Sequence, residues 1–478
     1  MAFGLPENYL VFYQSKLLKK NIMPPYNQNY QLNTLKRSAK MTNLLITGAG
    51  VDRTTGIDFP LANTLLADLA RYLENKGKEV DLTLRRMLPN LRFNFNSIIK
   101  NAVDKIAVRE PHEQREMVQR VQDAIANLPE NDIGRKHGEL IVRLFDKLAT
   151  IAEESQLDDE TEQLIREVFP QEADDFLDSD SILDIHKLSL SDTFKAVLKR
   201  TLKMGLTGRD RDHAVANALG AELLNIETLL VQTFLGFYSN KLTDIKNYLY
   251  ISWSLWAFLV EKQKQVFNAH PDGNLPFYSN LPDNIRAITL NYTSFLQNQL
   301  GNNNVICFHG GLDEYVRMDT RNLMSIENIL ECSPQKFISD TVKFDVSDND
   351  IKRHRHVIPA FVPPLRIKPV LSNKYIDLWA EASKLVREAE HIVVVGYSFN
   401  SADEHFNDIL RQHPNRRIDI VVPNAERDDF KERIEKVFNK PQDQFDNITV
   451  QGKSALQCQN LRLISAKADE IEIAELFQ

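Results

Sequence analysis

The sequence predicts an α/β fold in which a parallel sheet is interrupted by a large all-helical insertion. Short apolar runs that end on glycine or a polar residue, such as 44–47 and 391–396, have the length and composition of buried parallel strands. Residues 75–284, in contrast, contain little glycine and repeat their apolar residues at helical spacing. Together these observations indicate a Rossmann-like sheet with an inserted helical domain.

Four segments follow from this division, since 478 residues are too many for one ordinary core. Residues 1–40 have no clear period and form an N-terminal extension, either an arm that binds a neighbouring subunit or a poorly ordered tail. Residues 41–74 together with 285–440 form the predicted Rossmann-like domain. Residues 75–284 form the inserted helical domain, and 441–478 are a C-terminal segment whose mixed signals assign neither strand nor helix.

Composition excludes several classes of protein. The formal net charge of −8 argues against binding nucleic acid over the whole surface. Cys307, Cys332 and Cys458 lie far apart, which excludes a four-cysteine zinc site and a disulfide framework. No apolar run is long enough to span a bilayer, and the amino terminus lacks the apolar core of a secretion signal. We therefore expect a cytoplasmic protein without direct contact to nucleic acid or membrane.

The first predicted strand, 44–47, runs into Gly48-Ala49-Gly50 and then into an amphipathic helix over 61–73. Glycines at this point allow a sharp turn and a close approach of the backbone to a phosphate. The pair of glycines alone fits an ordinary strand-to-helix turn equally well. Asp52 and Asp58, in the same loop, would either steady a ligand or cap the following helix.

Within the predicted helical domain, Trp253 and Trp256 lie on a long apolar segment, which favours core or subunit-interface packing over a ligand cage. After it, the apolar runs 287–290 and 305–308 end on Asn291 and His309. Ligands of open parallel sheets bind beyond the carboxyl ends of the strands, so we expect this amide and this imidazole at one rim. A turn-forming asparagine and a structural histidine are the alternatives.

The last third of the chain repeats the same pattern. Residues 313–350 are rich in predicted loops, and the basic stretch 352–356 is either phosphate-facing or solvated, because its histidines lack partners at metal-binding spacing. A helix over 375–389 precedes the strand 391–396, which ends in Tyr397-Ser398. Residues 401–404 have a capping-box pattern that opens another helix. The strand 417–422 then ends in Pro423-Asn424.

The order of these strand-end motifs resembles the sirtuin family. Gly48-Ala49-Gly50 and residues 56–59 resemble the family's Gly-Ala-Gly-x-Ser…Gly-Ile-Pro-Asp-Phe-Arg loop, and residues 291–293 resemble its Asn-Ile-Asp motif. Residues 305–310 resemble the strand that ends in the catalytic His-Gly. Residues 396–398 resemble Gly-Thr-Ser, and Asn424 resembles the asparagine that meets the adenosine ribose. The match covers 41–73 and about 285–430.

The sequence also departs from this pattern. Asp52 stands in place of the serine, Pro60 in place of the arginine and Thr293 in place of the aspartate; the proline before Asp58 is missing. The four-cysteine zinc module, which helps to build the groove for an acyl-lysine peptide, is absent from the sequence. The Gly-Tyr-Ser-Phe-Asn form of residues 396–400 looks more like the sirtuin-like effectors of bacterial antiviral systems.

That resemblance implies hydrolysis of NAD to ADP-ribose and nicotinamide, which would deplete cellular NAD in antiphage defence. It implies a homo-oligomer and a partner protein that senses infection, such as a HerA-type ATPase or an Argonaute-type protein. Two alternatives stay open: an NAD-dependent protein deacylase, and a non-catalytic subunit that binds NAD or ADP-ribose. The predicted site has no metal; its catalytic residues are His309 and Asn291, and its NAD-binding residues are Gly48, Ala49, Gly50, Asp52, Asp58, Gly396, Ser398 and Asn424.

In the mechanism that we expect, the amides of residues 48–50 and the following helix terminus hold the diphosphate. Asn291 holds a ribose hydroxyl or orients the attacking water. Histidine side chains ordinarily titrate near pH ~6.5, so His309 is suited to act as a general base at neutral pH. Ser398 and Asn424 bind the adenosine half.

Overall fold

The computed structural model describes residues 43–106, 111–150, 157–177, 189–207, 213–224, 226–234, 241–283, 285–342, 349, 353, 355–361 and 370–478. The predicted extension 1–40 lies outside this part of the chain. Within the described residues, the strands are β1 (Asn43–Thr47), β2 (Arg286–Thr289), β3 (Val305–Cys307), β4 (Glu314–Arg317), β5 (Asn322–Ser325), β6 (Val357–Pro359), β7 (His391–Val395), β8 (Arg417–Val422), β9 (Asp446–Val450), β10 (Lys453–Cys458) and β11 (Leu461–Ser465).

Most of the helices precede β2. They are α1 (Ala62–Glu74), α2 (Lys78–Met87), α3 (Phe95–Ile106), α4 (Pro111–Ile125), α5 (Ile133–Thr150), α6 (Asp159–Val168), α7 (Ala173–Leu177), α8 (Leu190–Thr207), α9 (Ala214–Leu223), α10 (Ile226–Phe234) and α11 (Leu242–Ala269). The later ones are α12 (Phe295–Leu300), α13 (Pro334–Thr341), α14 (Asn373–Glu388), α15 (Glu404–Arg411), α16 (Asp428–Phe438) and α17 (Ile473–Leu476). None of the described helices is both long and apolar enough to cross a bilayer.

The main sheet has eight strands in the order β3-β2-β1-β7-β8-β11-β10-β9. The first six are parallel to one another, as the register of each neighbouring pair shows. Along the chain they are the third, second, first, fourth, fifth and sixth parallel strands, which is the order of doubly wound α/β sheets. The predicted α/β class with a parallel sheet is therefore confirmed, and the strand order reverses between β1 and β7.

The central strands are apolar because helices cover both faces of the sheet. Every residue of β7 is buried, and so are the last four residues of β1. Thr47, at the end of β1, is in register with Thr289 of β2 and Val395 of β7. The strands on either side of the reversal therefore end at one level, and the segments that follow them share one rim.

Between β1 and β2 the described residues form helices α1–α11 and no strand, so the predicted helical content of 75–284 is confirmed there. Trp253 and Trp256 of α11 are fully buried in the core. Core packing is one of the two roles predicted for them, the other being packing at a subunit interface. Their indole N–H groups donate to the carbonyl oxygens of Val357 (3.1 Å) and Leu312 (2.7 Å). Within a compact unit that spans residues 41–478, the helices before β2 share one hydrophobic core with the sheet, and a second core joins the sheet to helices α14, α15 and α16. The domain boundaries stay a prediction.

Two segments contain more regular structure than the sequence predicts. Residues 313–350 are predicted to be rich in loops, yet they contribute the hairpin β4–β5 and helix α13, and β4 also pairs with β6. His356, just before β6, is buried, whereas His354 lies outside the described residues. In the unassigned segment 441–478, β9 and β10 add two antiparallel strands to the main sheet. Their turn uses positive φ angles at Gln451 (49°) and Gly452 (75°), as tight hairpins require.

Candidate functional site

A cleft of about 1160 Å³ opens at the carboxyl ends of the parallel strands, where their order reverses. This is the position at which doubly wound sheets bind ligands. Each of the six parallel strands supplies lining residues, either from its last residues or from the segment after it. The volume slightly exceeds the ~300–1,000 Å³ that is usual for small-molecule sites, which suits a ligand as large as a dinucleotide.

The sequence-predicted site residues converge on this cleft. It is lined by His309, Asn291, Gly48, Ala49, Gly50, Asp58, Gly396, Ser398 and Asn424. Asp52 is the exception, because its side chain is buried behind the wall. Peptide segments that lie up to about 380 residues apart in sequence therefore meet in one concave site.

The glycines join the loop after β1 to the loop after β7. The amides of Gly48 and Gly50 donate to the carbonyl oxygens of Val395 and Gly396, each at 2.9 Å. Gly396 has a φ of +66°, and a Cβ atom there would lie 2.5 Å from the backbone nitrogen of Val51. The expectation that all three amides of residues 48–50 hold a diphosphate is therefore wrong for the two glycines, whose amides bind protein carbonyls.

His309 is buried, with 5 % of its surface exposed. Its Nδ1 atom donates to the carbonyl oxygen of Leu290 at 3.0 Å. The neutral ring therefore carries its proton on Nδ1, and Nε2 is the proton acceptor. Nε2 lies 3.2 Å from Oδ1 of Asp403, but the direction of approach does not make a hydrogen bond. The His309 ring is thus oriented by the carbonyl group of Leu290, and its Nε2 atom faces the Asp403 carboxylate.

Asp403 is a site residue that the sequence reasoning missed. The capping-box expectation for 401–404 is wrong: Asn400 accepts from the Ala402 amide at 3.0 Å, which opens a 3₁₀ turn over Ser401–Asp403. Helix α15 begins only at Glu404, and the Asp403 side chain does not cap it. This turn brings Asp403 to the cleft beside His309. The sequence feature that could have identified Asp403 is a carboxylate that follows a few residues after the glycine loop at the end of a predicted strand.

Asn291 follows β2 and is 8 % exposed. Its Nδ2 atom donates to the carbonyl oxygen of Gly48 at 3.1 Å, and its backbone N–H donates to Oγ1 of Thr289 at 3.1 Å. Because the amide nitrogen is held by the protein, the Oδ1 atom is the part of the amide that a ligand can use.

Asp52 lies between three loops below the cleft. Its Oδ2 atom accepts from the Thr293 hydroxyl at 2.8 Å, and its Oδ1 atom accepts from the Tyr278 hydroxyl. Burial raises the pKa of Asp52 to about 6, while hydrogen bonding from Tyr278, Thr293 and Asn291 acts in the opposite direction. Neither expected role is seen, because Asp52 does not line the cleft, and Leu61 occupies the N-cap of α1 without a side-chain cap.

The remaining predicted residues are exposed at the rim. Asp58 accepts from the backbone N–H of Gly56 at 3.2 Å, so it stabilises its own loop instead of capping α1. Asn424 has a left-handed backbone with a φ of 55°. Nearby, Arg433 donates to the carbonyl oxygen of Ser398 at 3.0 Å and pairs with Asp429 at 2.6 Å. This arginine links the segment after β8 to the segment after β7.

The helices before β2 also line the cleft, which the sequence reasoning did not foresee. Leu65 of α1, Arg120 of α4, Leu230 of α10 and Leu255 of α11 form one side of it. Helical periodicity shows that such leucines are buried, but it does not show which element they pack against. The cleft is therefore bounded by the sheet rim on one side and by helices on the other.

Comparison of the chain with known protein families, with curated proteins and with solved structures finds no match. Among the described residues, no group of three or more His, Cys, Asp or Glu side chains is arranged to hold a metal ion.

Proposed function

We propose that the chain is an NAD⁺ hydrolase that cleaves the nicotinamide glycosidic bond to give ADP-ribose and nicotinamide. One observation carries the proposal: an oriented imidazole and an oriented amide, His309 and Asn291, share a cleft of dinucleotide size at the reversal point of the strand order. The sirtuin-like order of the motifs around this rim supports the same substrate. We also propose that the parallel sheet is of the sirtuin-like type.

The reaction needs a fixed ribose and a deprotonated water. Cleavage builds positive charge on the ribose, and nicotinamide leaves as a neutral molecule, so no acid is needed. Water attacks the ribose carbon and transfers its proton to Nε2 of His309. The Asp403 carboxylate, 3.2 Å from Nε2, then stabilises the positive charge that the imidazole gains. Oδ1 of Asn291 accepts from the water or from a ribose hydroxyl.

The diphosphate requires donors other than the two glycine amides. Arg53 belongs to the turn after the glycine loop and lines the cleft, and the described residues give it no ion-pair partner. Its guanidinium is suited to a diphosphate because it offers several donors in a plane. We assign the adenosine half to the rim at Ser398 and Asn424.

The test is product analysis with purified protein and NAD. We expect ADP-ribose and nicotinamide in equal amounts without any peptide present. His309→Ala should reduce turnover by ~10²–10⁴-fold, the usual contribution of a general base. Asn291→Ala should also abolish most turnover, and both variants should keep the wild-type circular-dichroism spectrum. Full activity in both variants would contradict the assignment.

The same assay separates the alternatives. O-acyl-ADP-ribose formed only with an acylated peptide would favour a deacylase, and tight NAD binding without turnover would favour a non-catalytic subunit. The sirtuin-like antiviral effectors suggest a role in depleting cellular NAD, with a homo-oligomer and a HerA-type or Argonaute-type partner. The assay is therefore repeated with the proteins encoded beside this chain, because such a partner would switch the activity on.

A further inference from the structure

The buried carboxyl of Asp52 connects the two loops that carry the site. The loop after β1 contains Gly48 and Asp52, and the loop after β2 contains Asn291 and Thr293. Two short side-chain hydrogen bonds cross between them, Asn291 Nδ2 to the Gly48 carbonyl at 3.1 Å and Thr293 Oγ1 to Asp52 Oδ2 at 2.8 Å. The Asn291 side chain also interacts with the Asp52 carboxyl. The loops are thus tied at two points, one of them in the cleft and one behind it.

We propose that Asp52 and Thr293 form a positioning pair, which holds the Asn291 amide with its oxygen directed to the substrate. A single hydrogen bond between two loops leaves them free to rotate about it, whereas two bonds fix their register. Thr293 is two residues from Asn291, so the second bond limits the backbone of the residue that carries the amide. This inference rests on the proposed function, since it assigns a role within that site.

Burial makes the pair effective. Asp52 is 3 % exposed and Thr293 is 4 % exposed, so water does not compete for their hydrogen bond. The second carboxylate oxygen accepts from Tyr278, which follows α11. Removal of either Asp52 or Thr293 leaves buried partners without a hydrogen bond, which is costly.

The pair also explains two departures from the sirtuin-like motifs at once. Those motifs have serine where this chain has Asp52, and aspartate where it has Thr293. In this chain the carboxylate stands on the first loop and the hydroxyl on the second, and the two side chains are in contact. A hydrogen bond between a hydroxyl and a carboxylate can be made with either partner on either loop. An exchange of the two groups should therefore preserve the bond.

The experiment compares the wild type with Asp52→Ser, Thr293→Asp and the double variant. Asp52→Ser removes the carboxylate, and Thr293→Asp places two carboxylates against each other. Each single change should lower kcat for NAD by ~10²-fold, as expected for a misplaced catalytic group, with KM changed much less. The double variant should recover kcat to within about 10-fold of the wild type. Ser294→Ala, which removes a hydroxyl from the neighbouring residue, should keep the wild-type kcat.

Losses that multiply in the double variant, or single variants with wild-type kcat, would overturn the pair. If the wild type does not turn over NAD, the proposed function fails, and the pair is tested by other readouts. The same proteins are then compared by thermal unfolding midpoint and by NAD affinity. Recovery of both in the double variant supports the pair, and additive losses refute it.

Discussion

The backbone orients the two side chains that we place at the centre of the chemistry. The carbonyl oxygen of Leu290 accepts from Nδ1 of His309, and that of Gly48 accepts from Nδ2 of Asn291. A carbonyl oxygen only accepts hydrogen bonds, so the first contact fixes the tautomer of the ring and the second fixes the orientation of the amide. The acceptor Nε2 and the acceptor Oδ1 are left for the ligand.

Asp403 provides a prediction about charge at the base. Asp403→Asn keeps the shape of the side chain but removes the negative charge beside Nε2 of His309. We expect kcat for NAD to fall by about 10-fold or more, because opposite charges ~4 Å apart attract each other by about 1 kcal/mol in water and by more in a partly buried site. Steady-state kinetics measure the change. Asp408→Asn, an exposed aspartate on α15, is the control; equal effects of the two changes would contradict a role at the base.

Gly396 provides a prediction about the junction of the two glycine loops. Gly396→Ala combines a positive φ of 66° with a Cβ atom 2.5 Å from the backbone nitrogen of Val51. Gly273→Ala, the matched control, has a φ of 76° but open space around the Cβ position. A left-handed alanine costs ~1–2 kcal/mol, so the control should lose about that much stability and Gly396→Ala clearly more. Denaturant unfolding measures both, and equal losses would show that the close approach is unimportant.

At the scale of elements, helices α5, α8 and α9 are joined by a chain of buried and partly buried hydrogen bonds. The Ala216 amide donates to Nδ1 of His213 (3.3 Å), so Nε2 of His213 carries the proton and donates to Nδ1 of His137 at 2.9 Å. Nε2 of His137 then donates to Thr201 at 2.8 Å, and Thr201 donates to the carbonyl oxygen of Val197. Each donor and acceptor has one consistent role, which requires both rings to be neutral.

These hydrogen bonds between neutral rings predict that the protein loses stability in acid. Burial, and then the repulsion that would arise if both His137 and His213 were protonated, lower the pKa of His137 to about 3. Between the ordinary value of 6.5 and about 3, the unfolded chain binds a proton at this position that the folded chain does not. Stability therefore falls as the pH drops through this window, by up to ~1.4 kcal/mol per pH unit.

Urea unfolding of the wild type and of His137→Gln between pH 7 and pH 5 measures this effect. The variant lacks the titrating ring, so the difference in stability between the two proteins should shrink as the pH is lowered. A difference that is constant over this range would contradict the assignment of a neutral, buried His137.

At the scale of the whole molecule, the sequence predicted the elements whose periodicity is set by burial. Strands β1 and β7 are mainly apolar because both of their faces are covered, β8 is apolar apart from Arg417 and Asp419, and α1 shows a single apolar stripe. The hairpins β4–β5 and β9–β10 were missed, because their strands are short and partly exposed and their composition is mixed.

The residues of the candidate site also divide into those that the sequence predicted and those that it missed. Residues directly after a predicted strand, such as His309 and Asn291, were found because the strand end fixes their position in any doubly wound sheet. Asp403 was missed because a 3₁₀ turn, not a strand end, brings it to the cleft, and Leu255 because its contact depends on how α11 packs. Asp52 was misplaced because the sequence does not show which side of a loop faces the core.

The most direct test of the central claim is a crystal structure of the His309→Ala variant grown with NAD, since this variant should bind the dinucleotide without cleaving it. We expect the nicotinamide ribose beside Asn291 and residue 309, the diphosphate at the loop of residues 48–53, and the adenosine ribose near Asn424. NAD bound elsewhere on the protein, or no NAD in this cleft at saturating concentration, would contradict the account.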